Sequence, residues 1–140
     1  MDVRLSALKQ ASASLTYLVS VDMDALVSQL DARLIDGLRN GVAQKFEYTF
    51  ELYWKCMKDF LKQQEGIDEA TPKKLIKAFH LAGYVIEDDF LTLHIAIDDR
   101  NLQSHNDNEA TFTVILSRIP DYARLIERVI PVLETVSEQP

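Results

Sequence analysis

Cysteine occurs once in this 140-residue chain, at Cys56. Neither an internal disulfide nor a multi-cysteine zinc site can be built from it. Glycine and proline number four each, too few for the turns of an all-β fold. No run of about 18 apolar residues occurs, so no membrane span is expected. The opening residues, MDVRLSALKQ, lack the charged-then-apolar layout of a signal peptide, and a cytoplasmic location is the expectation. There is no glycine-rich phosphate loop and no G-x-S-x-G, so nucleotide hydrolysis and ordinary esterase chemistry lack support. Basic charge is also scarce: 15 Lys and Arg against 22 Asp and Glu give a net charge of −7. That balance argues against broad binding to nucleic acid, which needs clustered cations.

What remains is ordinary for a globular chain: 47% apolar and 26% charged residues. The length suits one domain over residues 1–140. Long stretches of helix-spaced apolar residues predict an all-α fold, an antiparallel up-down bundle of four to five main helices. The first helix is predicted over 3–19, with Leu5, Leu8, Leu15 and Val19 on one face. Asp22 or Asp24 can cap a short helix through Leu34, and Gly37 and Gly41 then suggest a break. A long helix follows from near Val42, carrying the stripe Phe46, Phe50, Trp54, Met57 and Leu61 and stopping at Gly66. Thr71, Pro72 and Gly83 punctuate the next one. Another runs from about Glu87 to Asn101, burying Phe90, Leu93 and Ile97.

The last helix opens either at Asn106, in a capping box with Glu109, or at Asn108. Its apolar phase, from Phe112 to Val136, passes through Pro120 and Pro131 unbroken. That continuity predicts one long helix, bent at Pro120 where a hydrogen bond is lost.

Chemistry-bearing residues concentrate near position 100, where the chain reads DDRNLQSHNDNEATF. Arg100 and His105 are five apart, about 500° of helical rotation, so they converge only if the helix ends between them. A guanidinium grips phosphate oxygens, and an imidazole moves protons near neutral pH. Together they could cleave RNA without a metal, His105 activating the 2′-hydroxyl and Arg100 stabilising the developing charge. Alternatively, Arg100 pairs with Asp98 or Asp99 and His105 decorates a loop. Glu47, Glu51 and Lys55 follow at four-residue spacing, which permits a Glu51–Lys55 ion pair. They form either a solvated face or a carboxylate-lined groove that receives Arg100, His105 or a cationic ligand. Phe46, Phe50 and Trp54 read as core, Cys56 as a small apolar filler, and His94 with Asp98 as a surface pair. No third metal ligand accompanies them, so no metal and no cofactor is expected.

Four segments, in order over roughly residues 39–136, resemble one family. QKFEYTFELYWKCMKDFL (44–61) is similar to the second-helix signature of the nucleotidyltransferase substrate-binding proteins. DRNLQSHNDNEAT (99–111) resembles the Arg-Asn-x-x-x-His element of the wider HEPN superfamily. TPKKLIKAFHLAG (71–83) and RIPDY (118–122) fit the same pattern. The resemblance implies a helical bundle, usually a homodimer, that pairs with a separately encoded minimal nucleotidyltransferase, within a heterotetramer in some arrangements. It also implies likeness to the helical substrate-binding domain of aminoglycoside nucleotidyltransferases. Some HEPN relatives are ribonuclease toxins with the nucleotidyltransferase as antitoxin, their Arg and His lining a cleft between subunits. Arg100, Asn101 and His105 match that element; Glu47, Glu51, Trp54 and Lys55 match the helix signature. The tyrosine that such toxins carry two residues after the His is Asp107 here. Aspartate has no hydroxyl to adenylylate, and it sets negative charge beside any RNA phosphate.

The expected function is therefore a non-catalytic substrate-binding subunit of a two-chain nucleotidyltransferase, with Glu47, Glu51, Lys55, Arg100, Asn101 and His105 holding the acceptor. The alternative is a metal-independent ribonuclease toxin using Arg100 and His105, with RNA as its substrate.

Overall fold

The alternation of three- and four-residue apolar steps gives each long segment one face to bury, and helices packed on those faces are the outcome. The computed structural model describes residues 3–105 and 108–135, the side chains of 104 and 105 excepted, and its regular elements are all α-helices. They are α1 (Val3–Val19), α2 (Met23–Val27), α3 (Ala32–Glu65), α4 (Pro72–Leu81), α5 (Glu87–His105) and α6 (Glu109–Glu134). Five are main helices and α2 is a short addition, which agrees with the bundle expected from the sequence.

Contacts between side chains fix the directions. Lys9 meets Glu134 and Thr16 meets Glu127, so α1 and α6 run antiparallel. Asp89 meets Arg128 and Asp99 meets Arg118, so α5 and α6 do too. Arg100 meets Glu51 and Gln103 meets Ala43, which sets α5 antiparallel to α3. Arg39 meets Glu109 and the Phe46 ring stacks on Tyr122, so α3 and α6 run parallel. These relations describe an up-down bundle in which α3 and α6 share one direction and α1 and α5 the other. α4 lies along α5 with opposite sense, Lys73 facing Asp98 and the His80 ring stacked on Phe90.

The core runs through Leu8, Leu15, Phe46, Phe50, Tyr53, Met57, Phe79, Ile119 and Ile126. Of the five residues expected on its α3 stripe, one, Trp54, is not among the buried ones. Tyr53 is fully buried, whereas Trp54 is only half-buried. Seven residues from Phe46 to Tyr53 bring the helix round to within about 20° of the same bearing; eight, to Trp54, overshoot by about 80°.

Two other expectations are corrected. α2 ends at Val27, capped by Asp22 through the Ala25 amide, and a new helix starts at the Asp31 cap. That helix passes through Gly37 and Gly41 without a break. Asp31 accepts from the Leu34 amide, and the buried residues from Val42 onward hold the rest, so the modest helical cost of glycine is outweighed. Gly66, with φ of 67°, does end α3, in the left-handed conformation glycine adopts most readily. Thr71 stands at the start of α4 in extended geometry, but its side chain makes no capping bond. Asn108 caps α6 through the amides of Ala110 and Thr111, and the alternative cap, Asn106, lies outside the described residues. α6 continues through Pro120 and Pro131, as the unbroken phase requires.

Candidate acceptor cleft

Residues 47, 51 and 55 of α3 are one turn apart and share a ridge. Antiparallel α5 lays Arg100 against that ridge at Glu51 and Gln103 near Glu47. The start of α4 closes a third side. The result is a cleft of about 480 Å³ lined by Glu51, Trp54, Thr71, Pro72, Lys73, Ile97, Arg100 and Asn101, with Ala70 at its edge.

Glu51 sits at its centre. One carboxylate oxygen accepts from the Trp54 indole N–H at 3.0 Å and from the Arg100 guanidinium at 2.9 Å. The other faces the Lys55 ammonium at 3.3 Å. Burial alone would raise the pKa of Glu51. Hydrogen bonds from Trp54 and Lys55, with the charges of Arg100 and Lys55, outweigh it and hold the group below the ordinary glutamate value. A carboxylate so held is a poor base, and its role is to orient the donors around it.

The expected alternative partners of Arg100 go elsewhere. Asp98 faces α4, pairing with Lys73 at 2.8 Å and lying 3.8 Å from His94. Asp99 faces α6, where Arg118 donates at 2.8 Å and the Tyr122 hydroxyl also donates. Arg100 faces α3. About 100° of rotation per residue sends three successive side chains to three neighbouring helices. Asp99 is 2% exposed, and spacing gave no sign of its burial. Burial, and then the hydrogen bond to this carboxylate and its charge, raise the pKa of the Tyr122 hydroxyl well above the ordinary phenol value.

The structure thus brings together Glu51, Lys55, Arg100 and Asn101, with Glu47 one turn away beside Gln103 at 3.4 Å. The expected helix end between Arg100 and His105 is absent, since α5 runs to His105. The two backbone positions therefore lie about 140° apart around the axis. The side chain of His105, and Asp107, lie outside the described residues. Sequence reasoning missed three participants: Trp54 as a cleft wall, Gln103 as a link to α3, and Lys73 at the start of α4. For Trp54 the rotation count just given was a usable signal. Among the described residues, no group of three His, Cys, Asp or Glu side chains is placed to hold a metal, and no helix is long and apolar enough to cross a membrane.

Known proteins share this architecture. A crystal structure of ttk003001694 from Thermus thermophilus superposes with a TM-score of 0.77 at 32% identity, covering 90% of this chain and 98% of that one. HI0074 from Haemophilus influenzae, described as revealing the fold of a substrate-binding domain of a nucleotidyltransferase, gives 0.79 at 21% identity, covering 93% and 98%. A tri-AMPylated Shewanella oneidensis HEPN toxin, in complex with an MNT antitoxin, gives 0.68 at 13% identity, covering 96% and 99%. No curated protein matches the chain. The model of one family, described as nucleotidyltransferase substrate binding protein like, matches residues 3–135, and with that span matched the chain belongs to this family.

Proposed function

We propose that this protein is the non-catalytic, substrate-binding subunit of a two-chain nucleotidyltransferase, and that the cleft between α3, α4 and α5 holds the acceptor. The catalytic carboxylates and the nucleotide site would belong to a separate minimal nucleotidyltransferase. The observation that carries this reading is the state of Glu51, which is fixed by Trp54, Arg100 and Lys55 and kept ionised. Arg100, Lys73 and Asn101 offer donors beside the apolar surfaces of Trp54 and Ile97, a lining suited to holding and orienting a molecule. Glu47, Glu51, Lys55, Arg100, Asn101 and His105 are the proposed acceptor-binding set, now joined by Trp54. A cytoplasmic homodimer, assembled with the partner into a heterotetramer, completes the proposal.

The ribonuclease alternative, with Arg100 and His105 lining a cleft between two subunits, needs Arg100 to leave Glu51, and aspartate at position 107 removes the usual adenylylation target. It is the less supported reading.

The test is nucleotidyl transfer from labelled nucleoside triphosphate to a panel of small acceptors, using a minimal nucleotidyltransferase from the same source with and without this chain. Transfer is expected to require the chain and to fall about tenfold or more with Arg100→Ala, the loss typical of a charge-assisted hydrogen bond. A nucleotidyltransferase equally active without the chain would refute the proposal. RNA cleavage by the purified chain in EDTA, abolished by His105→Ala, would replace it with the ribonuclease.

A further inference from the structure

We infer that the cleft selects an acceptor bearing an anionic group next to an apolar or ring-containing body, rather than a polycation. This rests on the reading of the cleft as the acceptor site. Likeness to aminoglycoside-modifying domains would suggest the opposite charge, and the geometry discriminates between them.

A polycationic acceptor needs available carboxylates. Glu51 is the acid among the side chains lining the cleft, and both of its oxygens already face donors. A cation arriving there would compete with Trp54, Arg100 and Lys55 together.

An anion meets better conditions. Lys73 and Arg100 are the cations of the lining, and Glu51 offsets one of them. Lys73 is paired with Asp98, but both side chains are about half-exposed, so that pair is weak and its ammonium can turn to a ligand at little cost. The first turn of α4 adds to this side-chain charge. Pro72 carries no N–H and the Leu75 amide bonds to the Thr71 carbonyl, but the amides of Lys73 and Lys74 between them have no carbonyl one turn back to receive them, and the Thr71 side chain does not cap them. Trp54, Pro72 and Ile97 complete the lining, an apolar surface for the rest of the molecule.

Trp54 is the chain's one tryptophan, so its emission and its indole N–H resonance report on this cleft. The purified chain is titrated with benzyl phosphate, phenylacetate, benzyl alcohol and benzylamine, which share a ring and differ in charge. The expected result is a saturable Trp54 response to one or both anions, about tenfold tighter than to benzyl alcohol, with benzylamine weakest. The stronger anion names the head group. Lys73→Glu, an exposed substitution, is expected to lower that affinity about tenfold while leaving the circular dichroism unchanged. Tighter binding of benzylamine, no response to either anion, or an unchanged affinity in folded Lys73→Glu would overturn the inference. So would a response to a single-stranded RNA oligonucleotide alone. Because the chain is tested without its partner, failure here with nucleotidyl transfer intact removes the charge preference and keeps the acceptor cleft. Loss of transfer as well removes both.

Discussion

Asp98, Asp99 and Arg100 show how much three adjacent residues can differ in consequence. Asp98 is half-exposed beside Lys73, and an exposed pair of that kind contributes little. Asp99 is almost fully buried against α6, where its carboxylate accepts from Arg118 and Tyr122. Charge-assisted bonds to a buried acceptor are stronger, and deleting the acceptor leaves the buried Tyr122 hydroxyl without its partner. Asp99→Ala is therefore expected to cost about 2–3 kcal/mol of folding stability. Asp99→Asn, which keeps an acceptor oxygen, should cost less. Asp98→Ala should fall within about 0.5 kcal/mol of wild type. Equilibrium urea unfolding of the three variants ranks them. Equal losses at 98 and 99 would mean that Asp99 does not fasten α5 to α6.

At the scale of the helices, the sequence was most readable where local signals agreed. Thr71, Pro72 and Gly83 bracket α4 closely, and the unbroken phase of α6 carried it through Pro120 and Pro131. It was misleading where a local signal opposed a tertiary one. Gly37 and Gly41 suggest a break, yet α3 runs over them because a capped start and a packed second half supply what glycine lacks. The site was legible in part for a similar reason. Spacing placed Glu47, Glu51 and Lys55 on one ridge, but no spacing rule assigns Arg100, rather than Asp99, to the helix that carries them. That choice depends on which neighbour α5 turns each residue toward. The glycines yield a direct prediction. A methyl group at either position would meet nothing within 4 Å, and neither has a positive φ. Gly37→Ala and Gly41→Ala should each stabilise the protein by about 0.5–1 kcal/mol, through helix propensity and a less disordered unfolded chain. Thermal and urea unfolding would check this, and destabilisation would show that the early part of α3 must retain a flexible joint.

Across the whole molecule, several ties hold α5 in the bundle. Asp89 and Asp99 fasten it to α6 and Gln103 reaches the Ala43 carbonyl of α3, while Arg100 meets α3 at the carboxylate of Glu51. Its protonation is therefore a test of the assembly as well as of the cleft. The folded state holds Glu51 ionised and lowers its pKa below the unfolded value, because bonds from Trp54 and Lys55 and the charges of Arg100 and Lys55 exceed the cost of burial. A depressed pKa means that the unfolded chain takes up the proton first as pH falls. The stability this group contributes is thus fully present above the ordinary glutamate range and is lost as pH falls through the lower folded value. Glu51→Gln removes the titration while keeping a polar group of similar size. Wild type should exceed Glu51→Gln in stability at about pH 7, and the difference should shrink as pH falls below the ordinary glutamate range. The indole N–H resonance of Trp54 should move over the same interval in wild type only, as its acceptor becomes protonated. A difference in stability that is constant with pH would mean that Glu51 acts through shape alone. The account of the cleft as a charge-ordered acceptor site would then lose its central residue.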